Sequence, residues 1–129
     1  MKHGIIIAHG PLGRAFIEAA KSIIGSDEGL FPLSVTEMSV SEIESRLNSL
    51  IDEPRADVDG IVIMACLRGG SSWNVSAAMI KDRPDVRLVS GCNLAMVVSF
   101  LMNRNTMPLD PLVETILIDA KQGVMLFKG

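Results

Sequence analysis

An α/β fold with a mostly parallel sheet is predicted by three observations. Short apolar runs alternate with segments of helical periodicity; the central runs are continuous rather than alternating; and the first and third runs stop at glycine-bearing turns, Gly10-Pro11 and Gly69-Gly70, that lead into helices. The expected architecture is doubly wound, with four parallel strands, helices on both faces, and a short fifth strand at the C-terminus.

The elements follow in order. Gly4-Ile5-Ile6-Ile7-Ala8 is a buried-strand run that ends at His9 and the turn Gly10-Pro11. Ala15, Phe16, Ala19, Ala20, Ile23 and Ile24 then recur at helical spacing, so a helix from Pro11 or Gly13 to Ile24 is expected, with Gly25 as its stop. Leu30 to Val35 reads as strand two. Ser39-Val40-Ser41-Glu42 fits a capping box, and Val40, Ile43, Leu47, Leu50 and Ile51 give the second helix one apolar face before Pro54 ends it. Asp52 to Asp59 is a polar loop. Gly60 to Leu67 is a strand buried on both faces, broken by Arg68-Gly69-Gly70-Ser71-Ser72. Trp73 to Lys81 is helix three, Val86 to Ser90 strand four, and Leu94 to Asn103 helix four with Asn93 as its cap. Asp110-Pro111 opens helix five with a capping residue and a proline at the first helical position. Gly123 to Phe127 reads as the last strand, and as an apolar ribbon at a sheet edge it calls for pairing with another subunit.

Composition narrows the function. The chain has 129 residues, 48% hydrophobic and 21% charged, which suits one domain spanning 1–129; no stretch reaches the ~18 apolar residues of a membrane span. A net charge of -3 argues against a nucleic-acid surface. Met1-Lys2-His3 runs straight into the first strand with no secretory pattern, so the cytoplasm is the expected compartment. Cys66 and Cys92 lack the spacing of a zinc site and read as buried thiols. His3 reads as an exposed terminal side chain, and the eight methionines as adaptable core filler.

His9 carries the chemistry. Open α/β sheets collect ligands beyond the carboxyl ends of their strands, where helix N-termini present unpaired N–H groups to anions. A neutral imidazole there is a nucleophile facing a phosphate seat. Gly69-Gly70-Ser71-Ser72 adds flexible backbone, two hydroxyls and a helix start that together suit a phosphoryl group. Neither glycine-rich segment has dinucleotide or Walker A spacing, so nucleotide binding is not expected.

Three segments resemble the IIA domains of the mannose family of the bacterial sugar phosphotransferase system. Ile5-Ile6-Ile7-Ala8-His9-Gly10 is similar to that family's strand ending in His-Gly. Gly69-Gly70-Ser71-Ser72-Trp73-Asn74 is similar to its Gly-Gly-Ser-Pro-Phe-Asn, and Ser90-Gly91-Cys92-Asn93-Leu94-Ala95-Met96 to its Ala-Gly-Val-Asn-Leu-Pro-Met. The resemblance implies a phosphocarrier in which His9 accepts phosphate from the histidine-containing phosphocarrier protein and donates it to a IIB domain, with no cofactor or metal. It also implies a homodimer formed by exchange of the C-terminal strand. Gly70, Ser71 and Arg68 are the expected phosphate-binding residues, with Cys66 and Ser72 neighbouring the site. Two departures stand out: Cys66 occupies the place of the family's usual Asp, and Ser72 that of its proline. The alternative implied by the first is a regulatory or degenerate IIA-like protein-binding module with weak or no phosphotransfer. Trp73 is expected at the rim of the site or in the core.

Overall fold

A computed structural model describes residues 1–53 and 56–129. The chain runs β1 (Lys2–Ala8), α1 (Leu12–Ile24), β2 (Leu30–Ser34), α2 (Val40–Asp52), β3 (Gly60–Ala65), α3 (Gly70–Met79), a 3₁₀ turn (Ile80–Asp82), β4 (Val86–Ser90), α4 (Leu94–Asn103) and α5 (Leu109–Gln122). The four strands form one parallel sheet in the order β2-β1-β3-β4.

The sheet separates two apolar layers, and alternate residues of the central strands feed them in turn. Ile6, Val62, Met64 and Val89 pack with Ile17 and Ala20 of α1, Met96, Val97 and Phe100 of α4, and Leu112 and Ile116 of α5. Ile5, Ile7, Ile61, Ile63 and Val86 pack on the other face with Ile43, Leu47 and Ile51 of α2 and Val75 of α3. β1 and β3 are buried along their whole length, which accounts for their continuous apolar sequences.

Several local signals act as expected. Gly25 closes α1 in the left-handed conformation, φ 94°, and its N–H donates to the Lys21 carbonyl at 2.7 Å. The capping box of α2 is complete: Ser39 Oγ accepts from the Glu42 amide at 3.1 Å, and the Glu42 carboxylate accepts from the Ser39 amide. Asn93 Oδ1 accepts from the Met96 amide at 2.9 Å, while its Nδ2 donates to the Ala120 carbonyl, so one side chain caps α4 and ties it to α5. Pro54, expected to end α2, lies outside the described residues.

Four expectations are revised. α3 begins at Gly70 rather than Trp73, so Ser71 and Ser72 sit in its first turn and neither serves as N-cap. α5 starts at Leu109 behind Pro108, and Asp110 pairs with Arg87 across a 2.8 Å contact instead of capping. His3 is buried within β1, its ring 5.1 Å from that of Phe31, because the strand begins two residues earlier than its apolar run. Residues 123–129 form no strand in the single chain. A strand needs a ladder partner, and α5 delivers this tail to the surface with Val124, Met125, Leu126 and Phe127 exposed.

Candidate active site

The sheet order fixes where a ligand can sit. From β1 the chain steps to one side for β2 and returns to the other side for β3 and β4, so the crevice opens beyond the carboxyl ends of β1 and β3. Ile7 lies opposite Ala65 in the β1–β3 ladder, and the Cys66 amide continues it by donating to the Ile7 carbonyl at 3.2 Å. The residues that leave these two strands, His9 and Cys66 to Ser72, therefore meet at the carboxyl end of the sheet.

A cleft of about 630 Å³ occupies that end. His9, Cys66, Gly69, Gly70, Ser71 and Ser72 line it together with Cys92. Its apolar wall comes from Leu12, Val35, Met38 and Ile43. The structure thus brings five of the six expected site residues to one cavity. The sixth, Arg68, is exposed on the same loop and is not part of the cavity wall. Trp73 is half-buried on α3 and also lies outside the wall.

His9 is exposed, and among the described residues its imidazole takes part in no side-chain hydrogen bond or ion pair. What holds it is backbone. Its carbonyl accepts from the Leu12 amide at 3.4 Å, and the next amide, that of Gly10, donates to Thr36 Oγ1 at 2.6 Å. Gly10 has φ 58°, a left-handed turn that lets the chain leave β1 sharply and enter α1. Thr36 in turn accepts from Ser34 Oγ at 3.3 Å, so the end of β2 braces the loop that carries His9. Sequence reasoning missed Thr36; the available signal was a hydroxyl residue just past the end of the strand that neighbours β1.

The opposite wall is the N-terminus of α3. Gly69 and Gly70 both have positive φ, 93° and 82°, and a Cβ on either would meet open space, so the requirement for glycine is conformational. Among the described residues no side chain caps this helix. Its first amides, from Gly70, Ser71 and Ser72, are left to whatever occupies the cleft, at the positive end of the helix dipole. Ser76 Oγ donates back to the Ser72 carbonyl at 2.7 Å and braces the first turn from within the helix.

Behind the cleft stand two thiols. Cys92 is buried and Cys66 half-buried, and neither is in a disulfide. Cys92 Sγ–H donates to Cys66 Sγ; this holds the Cys66 thiol below its ordinary value against the opposing effect of burial. The same hydrogen bond, reinforced by burial, pushes the Cys92 thiol far up and keeps it protonated. No Asp or Glu among the described residues lines the cleft. Among the described residues, no group of three or more His, Cys, Asp and Glu is placed to hold a metal ion.

Residues 4–117 match the model of the EIIA-man family, described as the PTS system fructose IIA component. The chain belongs to this family. It is 25% identical over 128 residues to the sorbose-specific EIIA component of the PTS system of Klebsiella pneumoniae, covering 99% of this chain and 93% of that protein. It is 23% identical over 131 residues to the mannose-specific EIIAB component of Escherichia coli K12, of which it covers 39%. Among solved structures, a phosphotransferase system component EIIA from Streptococcus agalactiae superposes with a TM-score of 0.86 at 25% identity, covering 97% of this chain and 96% of that one. The protein is accordingly a IIA component of the sugar phosphotransferase system. Its parallel sheet and helix arrangement is that of the solved EIIA structure. Among the described residues no helix is long and apolar enough to cross a membrane.

Proposed function

We propose that this EIIA-man member is a cytoplasmic phosphohistidine carrier, with residues 1–129 acting as one IIA unit. His9 accepts a phosphoryl group from the histidine-containing phosphocarrier protein and passes it to a IIB domain. The observation that carries this reading is an exposed imidazole in the same cleft as the uncapped N-terminus of α3. The chemistry needs little more. The imidazole nitrogen attacks phosphorus while the bond to the donor histidine breaks, and the transferred group carries its negative charge to three equatorial oxygens. Amides of Gly70, Ser71 and Ser72 and the Ser71 hydroxyl are suited to those oxygens, and Arg68 adds positive charge at the rim. Family membership supports the partners, as does the name of the EIIAB relative, which joins an A and a B component.

The exposed tail of Val124, Met125, Leu126 and Phe127 favours a homodimer in which each tail completes the other subunit's sheet. The test of the carrier reading is a complete relay. Incubation with phosphoenolpyruvate, enzyme I and the phosphocarrier protein should add one phosphoryl group by intact mass, and added IIB domain should remove it. An adduct that IIB leaves in place would refute the carrier role.

One observation favours a second reading: among the described residues no carboxylate stands in the cleft wall. A protein-binding module without turnover would bind the phosphocarrier protein yet gain no adduct under the same conditions.

A further inference from the structure

Cys66 and Cys92 are placed for a reaction that phosphoryl transfer does not use. They leave the carboxyl ends of neighbouring strands, β3 and β4, just beyond the Ala65–Ser90 pair. The Cys92 amide donates to the Ala65 carbonyl at 3.1 Å, which keeps the two chain segments at strand spacing. Cys92 lies one residue beyond the position opposite Cys66, so a strand spacing of about 4.8 Å and a rise of about 3.3 Å give a diagonal of roughly 5.8 Å, within the range of about 4.4–6.8 Å between Cα atoms that a disulfide requires. Both side chains belong to the same apolar layer, Cys92 within its buried cluster and Cys66 packed against it. Both line the cleft that His9 lines, with Cys66 the more exposed of the two. Their environments differ as an attacking and a resolving cysteine should: Cys66 is half-buried with its thiol lowered, and Cys92 is buried and held protonated.

We propose that Cys66 and Cys92 form a reversible oxidation site for small hydroperoxides, closing to an intramolecular disulfide in the wall of the His9 cleft. Cys66 thiolate attacks one peroxide oxygen. The S–O bond forms, the O–O bond breaks, and the departing oxygen takes a proton to leave as water or an alcohol. Cys92 sulfur then attacks the Cys66 sulfenic acid. The S–S bond forms, the S–O bond breaks, and hydroxide leaves as water with the Cys92 proton. The two electrons given up by the thiols are those that reduce the peroxide, and a dithiol returns the pair to its reduced state.

The experiment treats the folded protein with hydrogen peroxide, blocks residual thiols by alkylation and digests it with trypsin. The expected result is simultaneous loss of both alkylatable thiols and a chain two hydrogens lighter. A cross-linked peptide pair, 56–68 with 88–104, should appear and revert on treatment with dithiothreitol. Free thiols that persist, Cys66 driven to sulfinic acid without a cross-link, or a bond joining two chains would each overturn the proposal. In Cys92→Ala, the absence of sulfenic acid on Cys66 would do the same; should that variant fail to fold, the wild-type digest decides alone. The readout is covalent and is the same whether or not His9 carries phosphate, so it stands independently of the carrier reading.

Discussion

Replacing Cys66 with Asp should accelerate phosphorylation of His9 by about tenfold. Residue 66 continues the β3 ladder beside the last residues of β1, its amide on the Ile7 carbonyl at 3.2 Å, so its side chain shares the cleft with the imidazole. As the imidazole attacks phosphorus it acquires positive charge, and a carboxylate accepting from its other N–H stabilises that charge. Hydrogen bonds to charged groups contribute about 1.5–3 kcal/mol, equivalent to factors from about 10 to about 150. Cys66 is half-buried in an open cleft, so solvent screening selects the lower end of that range. The carboxylate also retains the Cys92 thiol as a donor, which limits the cost of burying it. The assay is the initial rate of adduct formation by intact mass at limiting phosphocarrier protein, with Cys66→Asn as the neutral isostere and thermal melts to confirm folding. Equal rates for the Asp and Asn variants, or a folded Asp variant within twofold of wild type, would refute the argument.

Other perturbations probe separate parts of the account. Thr36→Val removes the acceptor of the Gly10 amide at an exposed position, so stability should fall by no more than about 1 kcal/mol, while the His9 adduct should form more slowly; an unchanged rate would show that the brace has no bearing on the site. Gly4→Ala would set a methyl group 2.8 Å from Met64 Cε, 2.9 Å from Phe100 Cε1 and 3.0 Å from Leu30 Cδ2, and should lower stability in urea denaturation by about 1–3 kcal/mol. Asp59 is held down to about 2 by hydrogen bonds first from the N-terminal ammonium and then from Lys2. Because its folded value lies below the ordinary 3.8, its contribution is full above that pH and is lost as the pH falls through about 2. Asp59→Asn should flatten that part of the melting-temperature profile, and an unaltered acid limb would contradict the assignment. Deleting residues 124–129 should convert the proposed dimer to a monomer in sedimentation equilibrium, and a dimer that survives the deletion would place the interface elsewhere.

Legibility in the sequence followed the physics of each segment. β1 and β3 were readable because burial on both faces demands unbroken apolar runs, and α2 because its capping box and apolar stripe agree. That His9 and the Gly69 to Ser72 loop line one cleft was readable because doubly wound topology brings strand ends together without any sequence proximity. The start of α3 was not, since Gly70, Ser71 and Ser72 have poor intrinsic helix propensity and enter the helix through its tertiary setting. His3 was misread because burial there depends on how far the ladder extends, which the strand's own residues do not encode. The tail from Gly123 to Phe127 has strand-like residues, yet the single chain offers them no ladder partner. Cys66 and Cys92 looked like unrelated buried thiols; only the neighbouring placement of β3 and β4 makes them a pair.

The central claim is that His9 is the phosphoryl acceptor, and the chain's two histidines allow it to be tested directly. Wild type, His3→Gln and His9→Gln would each be incubated with phosphoenolpyruvate, enzyme I and the phosphocarrier protein, and the adduct read by intact mass. The account predicts one phosphoryl group on wild type and on His3→Gln, and none on His9→Gln. An adduct that survives in His9→Gln, or its absence from folded wild type, would contradict the account.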